Sequence, residues 1–511
     1  MEKSRRHQDR HRRPRPSLRR YMARTCLTLL STAPSCHGYG PMLTTLGRLP
    51  STTRSTNAAA RSRSTRSSSR TRSIPTVATS TCTDCQCSSQ AGGERDVGLD
   101  DVRRVFAISD LHTDDAANMD WLIDRCTGRF GGSTSTSTST STSTSTSTSS
   151  ASHGGFDPPL TPGPKDALVI AGDISHRLET IERSLSVISD HLGCHTFFVP
   201  GNHEAWVGGK EMDEMGLTSS FDKLQRVMDV CDRLGVHTKH KLVGSNHRRP
   251  AWIVPIWSWY DGTLALPGCE DLCDGFGQWP WVDFARCKWG EEFLGSVDDQ
   301  SSRGDSRFTI PGFERIPSQR LVKKMLSRND GSVATVKEHL ERCSAESRDF
   351  PGLISMTHFS PCRATLPDWK DPSSDTFLRK EWLDHSVPEV SAKFAYVSGS
   401  QLIDDQIRSM SDDAHRHLHV FGHSHRPKDF IRAGIRYVHN PVGKPVEREM
   451  NMISKDFDFK LVWDATTYDG EISAPTLVRY WEEQGGGLEM LSRNLSKRER
   501  RRQQQMKRRT K

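Results

Sequence analysis

No stretch of this 511-residue chain approaches the roughly eighteen consecutive apolar positions that a membrane-spanning helix needs. The folded body is therefore expected to carry no membrane span. Cysteine lacks pattern: thirteen residues, an odd number, fall without a repeating spacing, which excludes a regular disulfide framework and favours a reducing compartment. Cys82-x-x-Cys85-x-Cys87 has ligand-like spacing, but no second pair follows at a zinc-finger distance. Carboxylates are nearly missing from residues 1–80, where seventeen Lys and Arg face only Glu2 and Asp9. Large apolar residues are scarce there too, so the segment cannot bury enough surface to offset its chain entropy. Its Arg- and Ser-rich, acid-poor composition also fits a transit peptide, which sets plastid or mitochondrial targeting beside the cytoplasmic location expected otherwise. The apolar part of Tyr21 to Ala33 is too short and interrupted for a signal peptide.

The other end is basic as well. Residues 491–511 carry ten Lys and Arg against Glu499, including Lys497-Arg498 and Lys507-Arg508-Arg509, which suit an import signal, a nucleic-acid contact or a charged tail. With the chain at +8 and its two ends at +15 and +9, residues 81–490 hold −16. An acidic body has no general footprint for nucleic acid, and at most a weak contact through the tails is expected. Ser133 to Ser150 is almost pure Ser-Thr alternation followed by Gly and Pro, a low-complexity insertion over 131–165. By contrast Phe221, Leu224, Val227, Met228, Cys231 and Leu234 recur at helical spacing and stop at Gly235, the mark of a core-facing helix.

What the chain does contain is five short motifs in order: Asp110-Leu111-His112, Gly172-Asp173, Gly201-Asn202-His203-Glu204, His358, and Gly422-His423-Ser424-His425. Each follows an apolar run that reads as a strand, namely Val105 to Ile108, Ala167 to Ile170, Phe197 to Val199, Leu353 to Met356 and Leu418 to Phe421. The candidate ligands thus sit just past strand carboxyl ends, where open α/β sheets gather their ligands. Two carboxylates, one amide oxygen and four imidazoles, with His203 besides, suit borderline first-row metals such as Mn, Fe or Zn.

This ordered series resembles the calcineurin-like metallophosphoesterase superfamily, over about 102 to 450 with insertions. Pro255-Ile256-Trp257-Ser258-Trp259-Tyr260, Cys287-Lys288-Trp289 and Gly434-Ile435-Arg436-Tyr437-Val438 add a resemblance to a plant and algal branch with no well-defined substrate. The resemblance implies two divalent ions, one held by Asp110, His112, Asp173 and His425, the other by Asp173, Asn202, His358 and His423. A bridging carboxylate such as Asp173 would keep ions roughly 3.5–4 Å apart, acidifying a shared water into the hydroxide nucleophile. His203 would protonate the leaving oxygen. Arg177 matches an arginine that touches phosphate in related phosphatases, or else is a surface arginine at a helix start. Glu204 either orients a neighbouring group or is a solvated turn carboxylate. One departure stands out: phosphoprotein phosphatases of this kind have an Asp three residues after the bridging Asp, where this chain has His176, so the acid histidine loses that negative partner.

The implied fold is α/β, a four-layer sandwich of two mixed β-sheets flanked by helices, with the metals at its apex. We expect one phosphoesterase domain over 102–480, a basic Ser/Arg-rich region over 1–101 and a tail over 481–511; Phe459 to Trp463 and Leu477 to Trp481 read as late strands. Six of twelve tryptophans lie between Trp252 and Trp289, as a wall or lid of the cleft or as a cover for the sheet edge. His415, His417 and His419 alternate without a carboxylate among them and read as solvated or packing residues. The function expected is hydrolysis of a phosphomonoester or phosphodiester of unknown class. The alternative is a protein-interaction scaffold of the same fold without significant turnover.

Overall fold

The computed structural model describes residues 98–128, 161–294, 315–346, 351–383, 388–411, 416–450, 453, 455 and 457–466. The Cys82 motif, the Ser-Thr repeat, His415, both basic ends and Leu477 to Trp481 lie outside them. Among the described residues there are ten strands: β1 (Arg104–Ile108), β2 (Asp166–Ala171), β3 (His195–Val199), β4 (Lys241–Val243), β5 (Ala251–Pro255), β6 (Gly352–Met356), β7 (His417–Phe421), β8 (Lys428–Arg432), β9 (Ile435–His439) and β10 (Lys460–Asp464). They form two mixed sheets, ordered β10-β1-β2-β3 and β4-β5-β6-β7-β9-β8. Within them β1, β2 and β3 run parallel, as do β5, β6, β7 and β9, while β10, β4 and β8 are antiparallel edges.

Alternation along the strands explains the layers. Val105, Ala107, Val169, Phe197 and Val199 of the first sheet share a core with Ile253, Ile354, Met356, Val420 and Val438 of the second. The intervening residues Phe106, Ile108, Leu168, Ile170 and Phe198 face outward onto Leu122, Ile181, Ile188, Leu224 and Val227 of the helices Ala116–Thr127, Leu178–Leu192 and Ser220–Arg233. With both faces covered, central strands are buried along their whole length, and so read as unbroken apolar runs. The helix Ser220–Arg233 puts Leu224, Val227 and Cys231 inward as their spacing predicts. On the second sheet, Trp252 donates from Nε1 to His339 Nδ1 at 2.9 Å, fixing the helix Asp330–Ala345. That helix and its neighbour Gln319–Leu326 are not assigned by the sequence reading. Leu321, Val322, Met325, Val336 and Leu340 are their buried faces.

Both sheets point their parallel carboxyl ends the same way and are joined there. Ser109 N–H reaches Asn440 O at 3.0 Å, and Gly443 N–H reaches Asp110 O at 2.9 Å, so the turn after β9 locks onto the turn after β1. Gly422 N–H reaches His358 O at 2.9 Å, tying the turn after β7 to that after β6. His417 and His419 lie inside β7, buried, and bond to Ser355 Oγ at 2.8 Å each; this is the packing reading, not the solvated one. Among the described residues no helix is long and apolar enough to cross a membrane.

Candidate metal centre

Backbone conformation marks the centre before any side chain does. Among the described residues six non-glycines have positive φ: Asp110 (53°), His112 (44°), Asp173 (56°), His423 (76°), His425 (51°) and Ala433 (45°). Left-handed geometry costs an L-residue about 1–2 kcal/mol, and five of the six are candidate ligands. Hydrogen bonds hold them there: Asp110 N–H to Gly172 O and His112 N–H to Asp173 O at 3.0 Å each, and His423 N–H to Asp110 Oδ1 at 2.9 Å. Gly172, at φ 78°, lies so close to the ring of His358 that a Cβ there would stand 2.5 Å from its Nδ1. The glycine of that motif is therefore a packing requirement.

All seven candidate ligands are buried, and they fall into two groups that share Asp173. In the first, His112 Nε2 is 2.7 Å from His425 Nε2 and 4.0 Å from Asp173 Oδ2, while His425 Nε2 is 3.5 Å from Asp110 Oδ1. In the second, His358 Nε2 is 3.4 Å from Asp173 Oδ1, 3.1 Å from Asn202 Oδ1 and 3.2 Å from His423 Nδ1, and His423 Nδ1 is 3.1 Å from Asn202 Oδ1.

The outward atoms decide what the inward atoms can be. His358 Nδ1 donates to Ala171 O at 2.9 Å, and His423 Nε2 to Val397 O at 3.0 Å, since a carbonyl can only accept. Burial pushes the His358 imidazole down to about 4 and His423 well below its ordinary value, so both rings are neutral. Their inward nitrogens then bear lone pairs. Asn202 is fixed likewise, because its Nδ2 donates to Asp283 Oδ1 at 2.9 Å and leaves Oδ1 inward. Two nitrogens and an amide oxygen therefore converge with no hydrogen between them, and an Asp173 oxygen faces them. Such a cluster repels itself unless a cation sits inside, and its nitrogen and oxygen donors fit a borderline divalent metal. His425 follows the same rule, with Nδ1 donating to Glu447 Oε2 at 2.9 Å and Nε2 inward.

The carboxylates agree. Burial, then the charges of Glu204 and Asp110, raise Asp173 well above the usual carboxylate range. Asp110 goes the other way: burial opposes ionisation, but the His439 hydrogen bond and the neighbouring imidazoles hold it low. His439 Nε2 and Ser109 Oγ donate to Asp110 Oδ2 at 3.0 and 2.6 Å. Glu204 is not a solvated turn residue. It is fully buried and accepts the backbone N–H groups of Asp173 (3.0 Å), Ile174 (2.7 Å), Ser175 (3.2 Å) and Gly201 (2.7 Å), so it clamps the β2 turn to the β3 turn. Burial raises it to about 7 against those four donors.

His203 lies at the border of the two groups, with Nε2 3.8 Å from Asp173 Oδ2 and its N–H on Asp173 Oδ1 at 3.0 Å. Its ring stacks on Trp206 at 3.7 Å between centroids, and its buried Nδ1 has no hydrogen-bond partner among the described residues. His176 does not leave the region without a carboxylate: its Nδ1 is 3.0 Å from Asp114 Oδ2, and Asp114, His176 and His203 bring ligand-type atoms within 4.8 Å of one another. Arg177 is exposed at the N-cap of the helix Leu178–Leu192, the position of a surface helix-start arginine. Reading the sequence missed Asp114, Asp283, His439 and Glu447. Asp114 alone carried a local signal, four residues after Asp110.

No family model matches the chain. Over 114 residues it is 31% identical to "[Acyl-carrier-protein] phosphodiesterase PptH" of Mycobacterium tuberculosis, an alignment covering 22% of this chain and 34% of the relative. The chain thus matches about a third of the length of that curated relative. The crystal structure of phosphopantetheinyl hydrolase from Mycobacterium tuberculosis superposes with a TM-score of 0.41 at 19% identity, covering 73% of this chain and 100% of that one.

Proposed function

We propose that this chain is a phosphoric ester hydrolase of the calcineurin-like metallophosphoesterase superfamily, of its plant and algal branch, with a dinuclear centre. Asp110, His112, Asp173 and His425 would hold one ion and Asp173, Asn202, His358 and His423 the other, with Mn, Fe or Zn as the suited metals. The convergence of lone pairs from His358, His423, Asn202 and Asp173 carries this reading. When bound, two such ions would polarise phosphoryl oxygens and acidify a water. The residues around them do the rest. Asp173 turns one oxygen to each group, Glu204 fixes the turn that carries it, and His203, stacked on Trp206, stands where a leaving oxygen would take a proton. The activity for which the partial relative is named favours a phosphodiester over a monoester. The catalytic domain would span 102–480, with both basic ends outside it.

The test is metal analysis of the purified chain, then a screen of phosphate mono- and diesters, including a phosphopantetheinyl diester, with added Mn. Close to two ions per chain and metal-dependent hydrolysis are expected. Two bound ions with no turnover of any ester would instead support the scaffold reading.

A further inference from the structure

The tryptophan-rich segment between β5 and β6 contains a buried carboxylate with an unusual set of partners. Asp283 is 2% exposed and accepts four side-chain donors: Asn202 Nδ2 at 2.9 Å and Trp206 Nε1 at 2.6 Å on Oδ1, and Trp281 Nε1 at 2.9 Å and Tyr260 OH at 3.1 Å on Oδ2. A carboxylate offers about four lone-pair positions, so Asp283 has none left for a metal. It acts through others. Its Oδ1 holds Asn202 and Trp206 together, and these are the amide that faces His358 and His423 and the ring on which His203 stacks.

An asparagine amide is nearly symmetric in shape, and rotation by half a turn would aim NH2 at His358 Nε2 and His423 Nδ1. An acceptor that cannot donate prevents this. Trp281 and Tyr260 keep that acceptor from swinging, and Trp281 also lies edge-on to the His423 ring at 5.9 Å.

We propose that Asp283 is a positioning residue: through Asn202 it sets the affinity of the His358–His423 group for its ion, and the tryptophan-rich segment is the frame that aims it. This inference rests on the dinuclear reading above. It assigns the segment a part in metal binding and not that of a lid or an edge cover.

The experiment is Mn(II) titration of the full-length chain, followed by electron paramagnetic resonance, for the wild type and for Asp283→Asn, with thermal unfolding recorded on each. The wild type should bind two ions and show a spin-coupled signal. Asp283→Asn should keep one ion at wild-type affinity, bind the second about 10–100-fold more weakly, and show an uncoupled signal at sub-saturating Mn, as losses behind a ligand typically do. If Asp283→Asn does not fold, Trp281→Phe and Tyr260→Phe, which leave an aromatic ring at each position and each delete one donor to Oδ2, should weaken the same single ion several-fold. A wild type with two ions and variants that bind both at wild-type affinity overturn the inference alone. A wild type that binds no second ion overturns the dinuclear reading and takes this inference with it.

Discussion

Replacing Gly201 by alanine probes the crowding on which the centre depends. A Cβ at that position would fall well inside contact distance of Asp173 Oδ1, and 2.8 Å from both Asp173 N and His358 Cδ2. Ordinary contact starts at 3.4 Å, so neighbours in the turns after two other strands must retreat by roughly half an ångström or more. Gly201 itself has an ordinary φ of −99°, so the strain would be purely steric. It cannot retreat freely either, since its N–H is bonded to Glu204 Oε2 at 2.7 Å. Overpacking of this kind destabilises by about 1–3 kcal/mol. Metal binding should suffer more, because ligand distances tolerate only about ±0.2 Å and Asp173 serves both groups. We expect both ions to weaken at least 10–100-fold, about the loss seen when a ligand's support is removed. Gly209→Ala is the control: it starts the helix Gly209–Met215 with nothing within 4 Å of its Cβ, and should be neutral or stabilising by up to about 1 kcal/mol. The assay is chelator competition for Mn, with unfolding monitored with and without metal. Wild-type Mn affinity in Gly201→Ala would refute the reasoning.

Asp173→Asn should weaken both ions, whereas Asp110→Asn should chiefly weaken one, because Asp173 lies in both groups and Asp110 in the first; unchanged metal content in both variants would sink the shared-carboxylate assignment. His203→Ala should keep its metals and lose about 10²–10⁴-fold in rate on an alkyl phosphate ester, with a smaller loss on an activated aryl ester that needs little protonation. Equal losses on the two esters would argue against the acid role. Far from the centre, burial pushes His417 down to about 3, with Arg408 adding to the effect. Its folded value lies below its unfolded one near 6.5, so the stability it contributes is present above that pH and is lost as pH falls towards 3, by up to about 1.4 kcal/mol per unit. His417→Gln should flatten the slope of denaturant stability between pH 6 and 4, and an unchanged slope would show that His417 is not neutral in the fold.

How much of this was legible beforehand depended on sequence distance. The candidate ligands Asp110, Asp173, Asn202, His358 and His423 follow their strands by two or three residues, so the ordered motifs, read through the family resemblance, sufficed to gather them. The helices Gln319–Leu326 and Asp330–Ala345 carry their buried faces in the spacing of Leu321, Met325, Val336 and Leu340, but they follow a Gly- and Ser-rich stretch and the sequence reading assigns no helix there. The supports were not legible. Asp283 is 81 residues from Asn202 and His439 is 329 from Asp110, and nothing near them in the chain distinguishes them from other polar residues. Glu447 looks like an ordinary capping residue of a five-residue helix, and only the fold sets its Oε2 against His425. For the tryptophans, number and spacing were visible, but their role turns on where each indole N–H points.

The supports also bear on catalysis against scaffolding. Behind the direct carboxylates Asp110 and Asp173 stand Glu204, Asp283 and Glu447, all buried, while burial holds His112, His358 and His423 neutral. Glu447 is kept at about 2, burial notwithstanding, by the His425 ring beside it, which donates a hydrogen bond to it, and by the charges of Arg426 and Lys444. Taking a carboxylate out of water costs several kcal/mol even after relaxation, and hydrogen bonds return only part of it. A surface used for docking gains nothing from such a core. Two divalent cations would offset that excess of negative charge, pull Asp173 and Glu204 back down, and turn converging lone pairs from a repulsion into a ligand field. Apo protein should accordingly be markedly less stable than the Mn-loaded form, and more so as pH rises from the ordinary glutamate value through about 7, where the raised Glu204 must ionise. The sign follows from Glu204 holding its proton more tightly folded than unfolded, so that each pH unit in that window favours the unfolded chain until a cation is supplied. Thermal unfolding of chelator-treated and Mn-loaded protein from pH 5 to 8 tests this directly, and a gap that stays flat or narrows with pH would mean that the buried acids are not balanced by metal.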